Sequence, residues 1–227
     1  MTTSERMDVH EVNGFQPWTI HEMAHNIASD LPVGIYVNLG IGLPTSVAAA
    51  LDPDKGILFQ SENGILGLGP PPQAGQGDPD LIDAGKNMVT MVPGGSFFSH
   101  CEAFAMIRGG HIDVSILGAF QVSQDGDLAN WSVPSAKLPA VGGAMDLAVG
   151  ARLVVAMMRH TTPSGQPKLV RECDFPLTAF GVVSRVYTEL ITADIVDREF
   201  VVIDAAPGVD AELVHRLTDA NVTWGLK

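Results

Sequence analysis

The chain alternates short apolar runs with stretches in which apolar residues recur every three or four positions. Ile20, Met23, Ala24, Ile27, Ala28 and Leu31 share one face at helical spacing, Thr19 and Glu22 stand as a capping box, and Pro32 and Gly34 form a stop. This predicts a helix over 19–31. Residues 34–39 read as a strand, 40–44 as a turn, 45–51 as a short Ala-rich helix and 56–60 as the next strand. Further strands are expected at 89–92, 112–120, 153–158, 187–192 and 200–204, the first of them ending at Pro93-Gly94-Gly95. Helices are expected at 101–108, at 142–149 and from an Asp210 cap to Leu217. Residues 68–80 are rich in Gly and Pro without a period and read as an ordered loop near a site or as a lid. Strands alternating with helices through Gly-rich turns define an α/β fold with an open, mostly parallel sheet and flanking helices. Residues 1–16 are expected to form a flexible N-terminal arm ahead of a single domain over 17–227, with no internal repeat or linker dividing it.

Composition narrows the function. The chain has 227 residues, 46% of them hydrophobic, enough for a sizeable core. Its formal net charge of −13 repels nucleic acid and anionic membranes, so neither is expected as a partner. Any anion site must then use backbone N–H groups, a few placed cations or a second subunit. The two cysteines, Cys101 and Cys173, have no metal-ligand spacing, and neither a disulfide framework nor a metal site is expected. Residues 1–13 are polar and lack a signal-peptide core, and no apolar run approaches a membrane span. The expectation is a cytoplasmic, reduced protein.

Candidate chemistry centres on Phe59-Gln60-Ser61-Glu62-Asn63-Gly64-Ile65-Leu66-Gly67. Glu62 ends an apolar run and precedes an Asn-Gly turn, a way to hold a reactive side chain over a crevice. Such a carboxylate can attack an activated acyl group if it is aligned and partly dry. On residue type and spacing alone, Glu62 reads equally well as a cap on the next turn through the Asn63 and Gly64 amides. Asn38-Leu39-Gly40-Ile41-Gly42-Leu43-Pro44 is a strand-to-helix turn whose glycines let backbone approach a ligand, although most such turns bind nothing. It is not a dinucleotide fingerprint, because the third Gly is missing. Gly142-Gly143 opening a helix presents backbone N–H groups suited to an oxyanion, but by itself reads better as a ligand-free turn. A Ser/His reading of Ser99-His100 lacks a nucleophile elbow. Arg108 reads as a charge near an anion or as a helix cap. Arg159, His160, Lys168 and Arg171 flank a turn and read as solvated surface.

The nine-residue stretch around Glu62 resembles the signature of the family I coenzyme A transferases. The likeness extends from about Tyr36 to Thr188 and takes in the 103–111, 126–131 and 176–178 segments. It implies a fold of the CoA-transferase type, with Glu62 as a nucleophile that carries coenzyme A as a transient thioester and with no permanently bound cofactor. It implies that the Gly143 and Ala144 amides face the reacting carbonyl. By the same resemblance, Asn38, Gly40, Gly42 and Pro44 would belong to a CoA-contacting loop, Ser61 and Asn63 would flank the nucleophile, and Gly118, Phe120, Gln121 and Asn130, with Trp131, would lie along the pantetheine and substrate path. The chain looks like a B subunit, lacking the Gly-Gly-Phe signature of the A half, so an A-subunit partner in a hetero-oligomer is implied. Segments 118–121 and 135–143 look most like members acting on 3-oxoadipate with succinyl-CoA as donor. Acetoacetate or a short-chain fatty acid is the alternative acceptor. A CoA-ester-binding protein or an acyl-CoA hydrolase is the alternative on the same fold.

Overall fold

A computed structural model describes residues 14–133 and 140–226. Most of the expected N-terminal arm, and the 134–139 part of the segment likened to 3-oxoadipate enzymes, lie outside the described residues. The end of that arm is docked: Gln16 N donates to Pro207 O at 2.8 Å, and Phe15 packs on the core.

In chain order the elements are α1 (Ile20–Asp30), β1 (Tyr36–Leu39), α2 (Val47–Ala50), β2 (Leu58–Ser61), β3 (Ile65–Leu68), β4 (Met91–Phe97), α3 (His100–Arg108), β5 (Val114–Leu117), β6 (Gln121–Ser123) and β7 (Leu128–Ala129). They continue as α4 (Ala144–Gly150), β8 (Leu153–Met157), β9 (Leu169–Val170), β10 (Val183–Tyr187), β11 (Ile191–Val196), β12 (Glu199–Ala205), α5 (Ala211–Leu217) and β13 (Val222–Trp224). Both capping predictions hold. Thr19 and Glu22 form a complete capping box on α1, and Asp210 caps α5 through the Leu213 amide.

Ten strands form one open sheet in the order β13-β12-β11-β10-β8-β5-β1-β2-β3-β4. Its centre, from β10 through β2, is parallel, and the flanks include antiparallel pairs. Both faces of that centre are buried. Along β8, Val154 and Ala156 point into one core with α3, α4 and α5, while Val155 and Met157 point into the other with α1 and α2. From β1 the chain steps outward to β2, β3 and β4, then returns to β5 on the opposite side of β1. The carboxyl ends of β1 and β5 are therefore a topological switch point, where open α/β sheets form their crevice. Among the described residues, no helix is long and apolar enough to cross a membrane.

The structure differs from the sequence expectation at two strands. The strand expected at 89–92 runs through Pro93-Gly94-Gly95 as part of β4, because β4 is the outermost strand and a missing N–H there costs no ladder bond. Residues 187–192 are not one strand but the turn joining β10 to β11. The Thr188 hydroxyl accepts from the amides of Leu190 and Ile191 at 3.2 and 3.0 Å, closing the turn with neither Gly nor Pro.

Candidate active site

Glu62 occupies the first position of a three-residue turn between β2 and β3, where Ser61 pairs with Ile65. The turn requires Gly64, whose φ is +113° and whose position leaves only 2.1 Å between a Cβ and Phe98 O. The half-buried Glu62 carboxylate does not cap its own turn. Its Oε2 instead accepts from Asn38 Nδ2 at 3.2 Å. Asn38 is wholly buried on β1, and its amide also bonds Gln60 Oε1 at 2.7 Å and Gln60 O at 3.1 Å. From α3, His100 Nδ1 lies 3.0 Å from the Glu62 carbonyl, and since a carbonyl only accepts, Nδ1 carries the proton. The His100 ring packs on Phe104, with centroids 4.7 Å apart. Ser99 is not half of a reactive Ser/His pair but the N-cap of α3, in a capping box with Glu102.

Phe104 in turn abuts Gly143. A Cβ on Gly143 would stand 2.9 Å from Phe104 Cζ and 3.9 Å from Glu62 Cγ, so this glycine lies beside the Glu62 side chain. Among the described residues the Gly143 amide has no acceptor, while Ala144 N donates to Val141 O at a long 3.3 Å. The Arg108–Asp146 pair, 2.6 Å, ties α3 to α4 on the surface, so the anion beside Arg108 is the Asp146 carboxylate rather than a ligand in the crevice.

A cavity of about 430 Å³ opens over the switch point. It brings together Glu62, Gly40, Gly118, Phe120, Asn130, Gly143 and Ala144 from the expected set. Gly40 sits where β1 meets β5, its amide donating to Ile116 O at 2.8 Å. The remaining expected residues lie elsewhere. Asn38 acts on Glu62 from beneath, while Gly42, with φ +99°, and the buried Pro44 shape the turn beside the cavity. Ser61 Oγ accepts from Ala84 N at 3.0 Å and Asn63 Nδ2 donates to Ile82 O at 2.7 Å, so both fasten the 69–90 loop rather than face the cavity. Gln121 is spent on the Asp174 and Phe175 amides at 2.9 and 3.2 Å and is buried away from the cavity. Asn130 reaches the cavity wall with its amide engaged by Gly118 O and Thr178 Oγ1. Trp131 donates to Leu177 O at 3.2 Å.

The expectation of solvated surface holds for Arg171, which is exposed, and is overturned for Arg159, His160 and Lys168. Arg159 and Lys168 line the cavity, and His160 between them in sequence is completely buried. Glu62 directly follows β2, and Arg159 lies two residues past the end of β8. The small sheet β7-β6-β9 explains Lys168: Phe120 precedes β6, Asn130 follows the antiparallel β7 and Lys168 precedes the parallel β9. One end of that sheet thus sets all three against the cavity. The Lys168 ammonium is held down to about 8, chiefly by burial, with Glu189 opposing and Arg159 reinforcing the shift. His160 is held down to about 4 by burial and stays neutral. Its ring nitrogens lie 3.1 Å from Thr188 Oγ1 and 3.0 Å from Thr218 Oγ1. Among the described residues, no group of three or more His, Cys, Asp or Glu side chains comes together as a metal site.

Fold and site define an α/β protein built around a carboxylate at the mouth of a parallel-sheet crevice. Residues 20–215 match the family model described as "Coenzyme A transferase". The chain is 50% identical over 206 residues to the B subunit of the 3-oxoadipate CoA-transferase of Acinetobacter baylyi, covering 90% of this chain and 94% of that one. It is 48% identical over 194 residues to the B subunit of the succinyl-CoA:3-ketoacid coenzyme A transferase of Helicobacter pylori, covering 86% and 93%. An acyl-CoA transferase apoenzyme from Escherichia coli O157:H7 shares the fold at a TM-score of 0.71 and 18% identity over 96% of this chain, which spans only 44% of that one. This chain belongs to the coenzyme A transferase family, a class of enzymes.

Proposed function

We propose that this chain is the nucleophile-bearing B subunit of a CoA transferase that moves CoA from succinyl-CoA to a 3-oxo acid, 3-oxoadipate first among them. The observation that carries the reading is Glu62 itself: a half-buried carboxylate in the crevice, held by Asn38, on a side chain that lies beside Gly143.

Glu62 attacks the thioester carbonyl of the donor, giving a mixed anhydride and free CoA thiolate. The thiolate attacks the Glu62 carbonyl, releasing the donor acid and leaving a glutamyl-CoA thioester. The acceptor carboxylate then runs the same two steps in reverse, so the acyl energy is kept and no ATP is consumed. The Gly143 amide, which has no acceptor among the described residues, is suited with Ala144 beside it to the oxyanion that forms at each attack. Relatives named as B subunits support an A-subunit partner, and a site open on one side suits a pocket completed by it. The complex works in the cytoplasm, in a route that degrades aromatic rings to 3-oxoadipate. The two free thiols, Cys101 and Cys173, suit that reducing compartment.

The test is to incubate the reconstituted complex with succinyl-CoA and then with borohydride. Inactivation should require the acyl-CoA, and the modification should map to the peptide carrying Glu62. Glu62→Ala should abolish transfer while leaving assembly intact. Modification elsewhere, or full activity of Glu62→Ala, would remove the mechanism.

A further inference from the structure

We infer that Arg159 and Lys168 form a carboxylate clamp for the far end of a dicarboxylic acyl group whose near end reacts at Glu62. The inference rests on the transferase reading above and adds to it the residues that select the substrate class.

The two cations and the nucleophile line one cavity. Glu62 follows β2 and Arg159 follows β8, with β1 and β5 between them. Three strand spacings put those two strand ends roughly 14 Å apart. A glutamate side chain reaching in from one side and a long guanidinium or ammonium arm from the other leave between their tips the span of a short acyl chain. The wall between is apolar: Leu117, Phe120, Met157 and Met158 flank the path. A nucleophile at one end, methylenes in the middle and cations at the other match a short dicarboxylate.

The cations are not consumed by structure. Arg108, Arg152, Arg185 and Arg198 each pair with an aspartate on the surface. Among the described residues, no carboxylate lies within 4.0 Å of Arg159 or Lys168. Glu189 is the anion that acts on Lys168, and its Oε2 is already held by the His160 amide at 2.8 Å. Two neighbouring cations half-withdrawn from water are unfavourable until an anion joins them. In a chain of net charge −13, this pair also gives anionic substrates a local attraction.

The same chemistry would hold a phosphate of CoA, and one experiment separates the two anions. Arg159→Gln, Lys168→Met and the conservative Arg159→Lys are prepared in the complex with the partner subunit. Each is assayed with succinyl-CoA and 3-oxoadipate, and then with acetyl-CoA and acetoacetate, which carry the same CoA phosphates but no distal carboxylate. The expected result is a fall of ~10²-fold in the ratio of kcat/KM for the dicarboxylic over the monocarboxylic pair in Arg159→Gln and Lys168→Met. Arg159→Lys should recover most of that ratio. Succinate should inhibit the unaltered complex far better than butyrate, and this comparison needs no variant to fold. A uniform loss with both substrate pairs assigns the cations to the CoA phosphates and overturns the clamp. An unchanged ratio, or equal inhibition by succinate and butyrate, overturns it as well. If the unaltered complex transfers CoA to no acid, it is the transferase reading that fails.

Discussion

Asn38 reaches from the end of one parallel strand to the hairpin that follows its neighbour and donates its amide to Glu62 at 3.2 Å. The donor is rigid because Gln60 holds the same nitrogen from two sides. Asn38→Ala removes the donor, and kcat for transfer should fall by ~10²-fold through misplacement of Glu62. Asn38→Asp sets a second carboxylate beside Glu62, so that the two share a proton and the acid limb of the pH–rate profile moves to higher pH. Steady-state kinetics across pH, with thermal melts to verify folding of this 0%-exposed position, provide the check.

Gly64→Ala should be among the most damaging single-methyl additions in the chain. The backbone is at positive φ, and the new methyl meets the Phe98 carbonyl at 2.1 Å. The expected loss is on the order of 2–4 kcal/mol of stability. Denaturant titration reports it, and a wild-type midpoint would mean that the hairpin has another accessible shape.

Acid lability should trace to His160. Its pKa is near 4 in the fold, against the ordinary 6.5 of an unfolded chain. Below pH 6.5 the unfolded state binds a proton that the folded state refuses, so stability is lost as pH falls from 6.5 towards 4 and this contribution levels off below that. The loss is on the order of 3 kcal/mol across the window. His160→Asn should be less stable at pH 7 and should flatten the dependence between pH 6.5 and 4. An unaltered slope in melting temperature would assign the effect to other groups.

The clamp should also be visible in pH dependence. Burial holds Lys168 near 8, with Glu189 raising it and Arg159 lowering it. The ammonium is therefore lost as pH rises through 8, and KM for 3-oxoadipate should climb above that pH while KM for acetoacetate stays flat. Lys168→Arg keeps its charge and should shift this limb beyond pH 9. Parallel titration of both acceptors decides the matter.

The elements most legible in the sequence were those with local chemistry. The Thr19–Glu22 box and the Asp210 cap mark helix starts whatever surrounds them. Ser99 and Glu102 carry the same box, a signal present in the sequence that the reading of the helix from Cys101 passed over. Elements that depend on distant neighbours were not legible. β4 crosses Pro93 only because nothing pairs on its outer side, and the turn after Tyr187 is made by a hydroxyl rather than by Gly or Pro. The two-residue strands β7 and β9 exist only through pairing with β6. Arg159 had the signal that identified Glu62, a polar residue just past an apolar strand, but Lys168 is brought to the cavity by that small sheet alone. Ser61 and Asn63 were recognisable as neighbours of Glu62, while their bonds to the 69–90 loop require a fold that returns that loop to them.

Those two bonds join the turn that carries Glu62 to the loop. Ser61 and Asn63 stand on either side of Glu62 in the chain, and each grips the same short length of loop, at Ala84 and Ile82. The loop is closed at its neck, where Gly69 N bonds Thr90 O at 2.7 Å. The position of Glu62 therefore depends on the seat of a loop some twenty residues further along the chain as well as on the crevice that it faces.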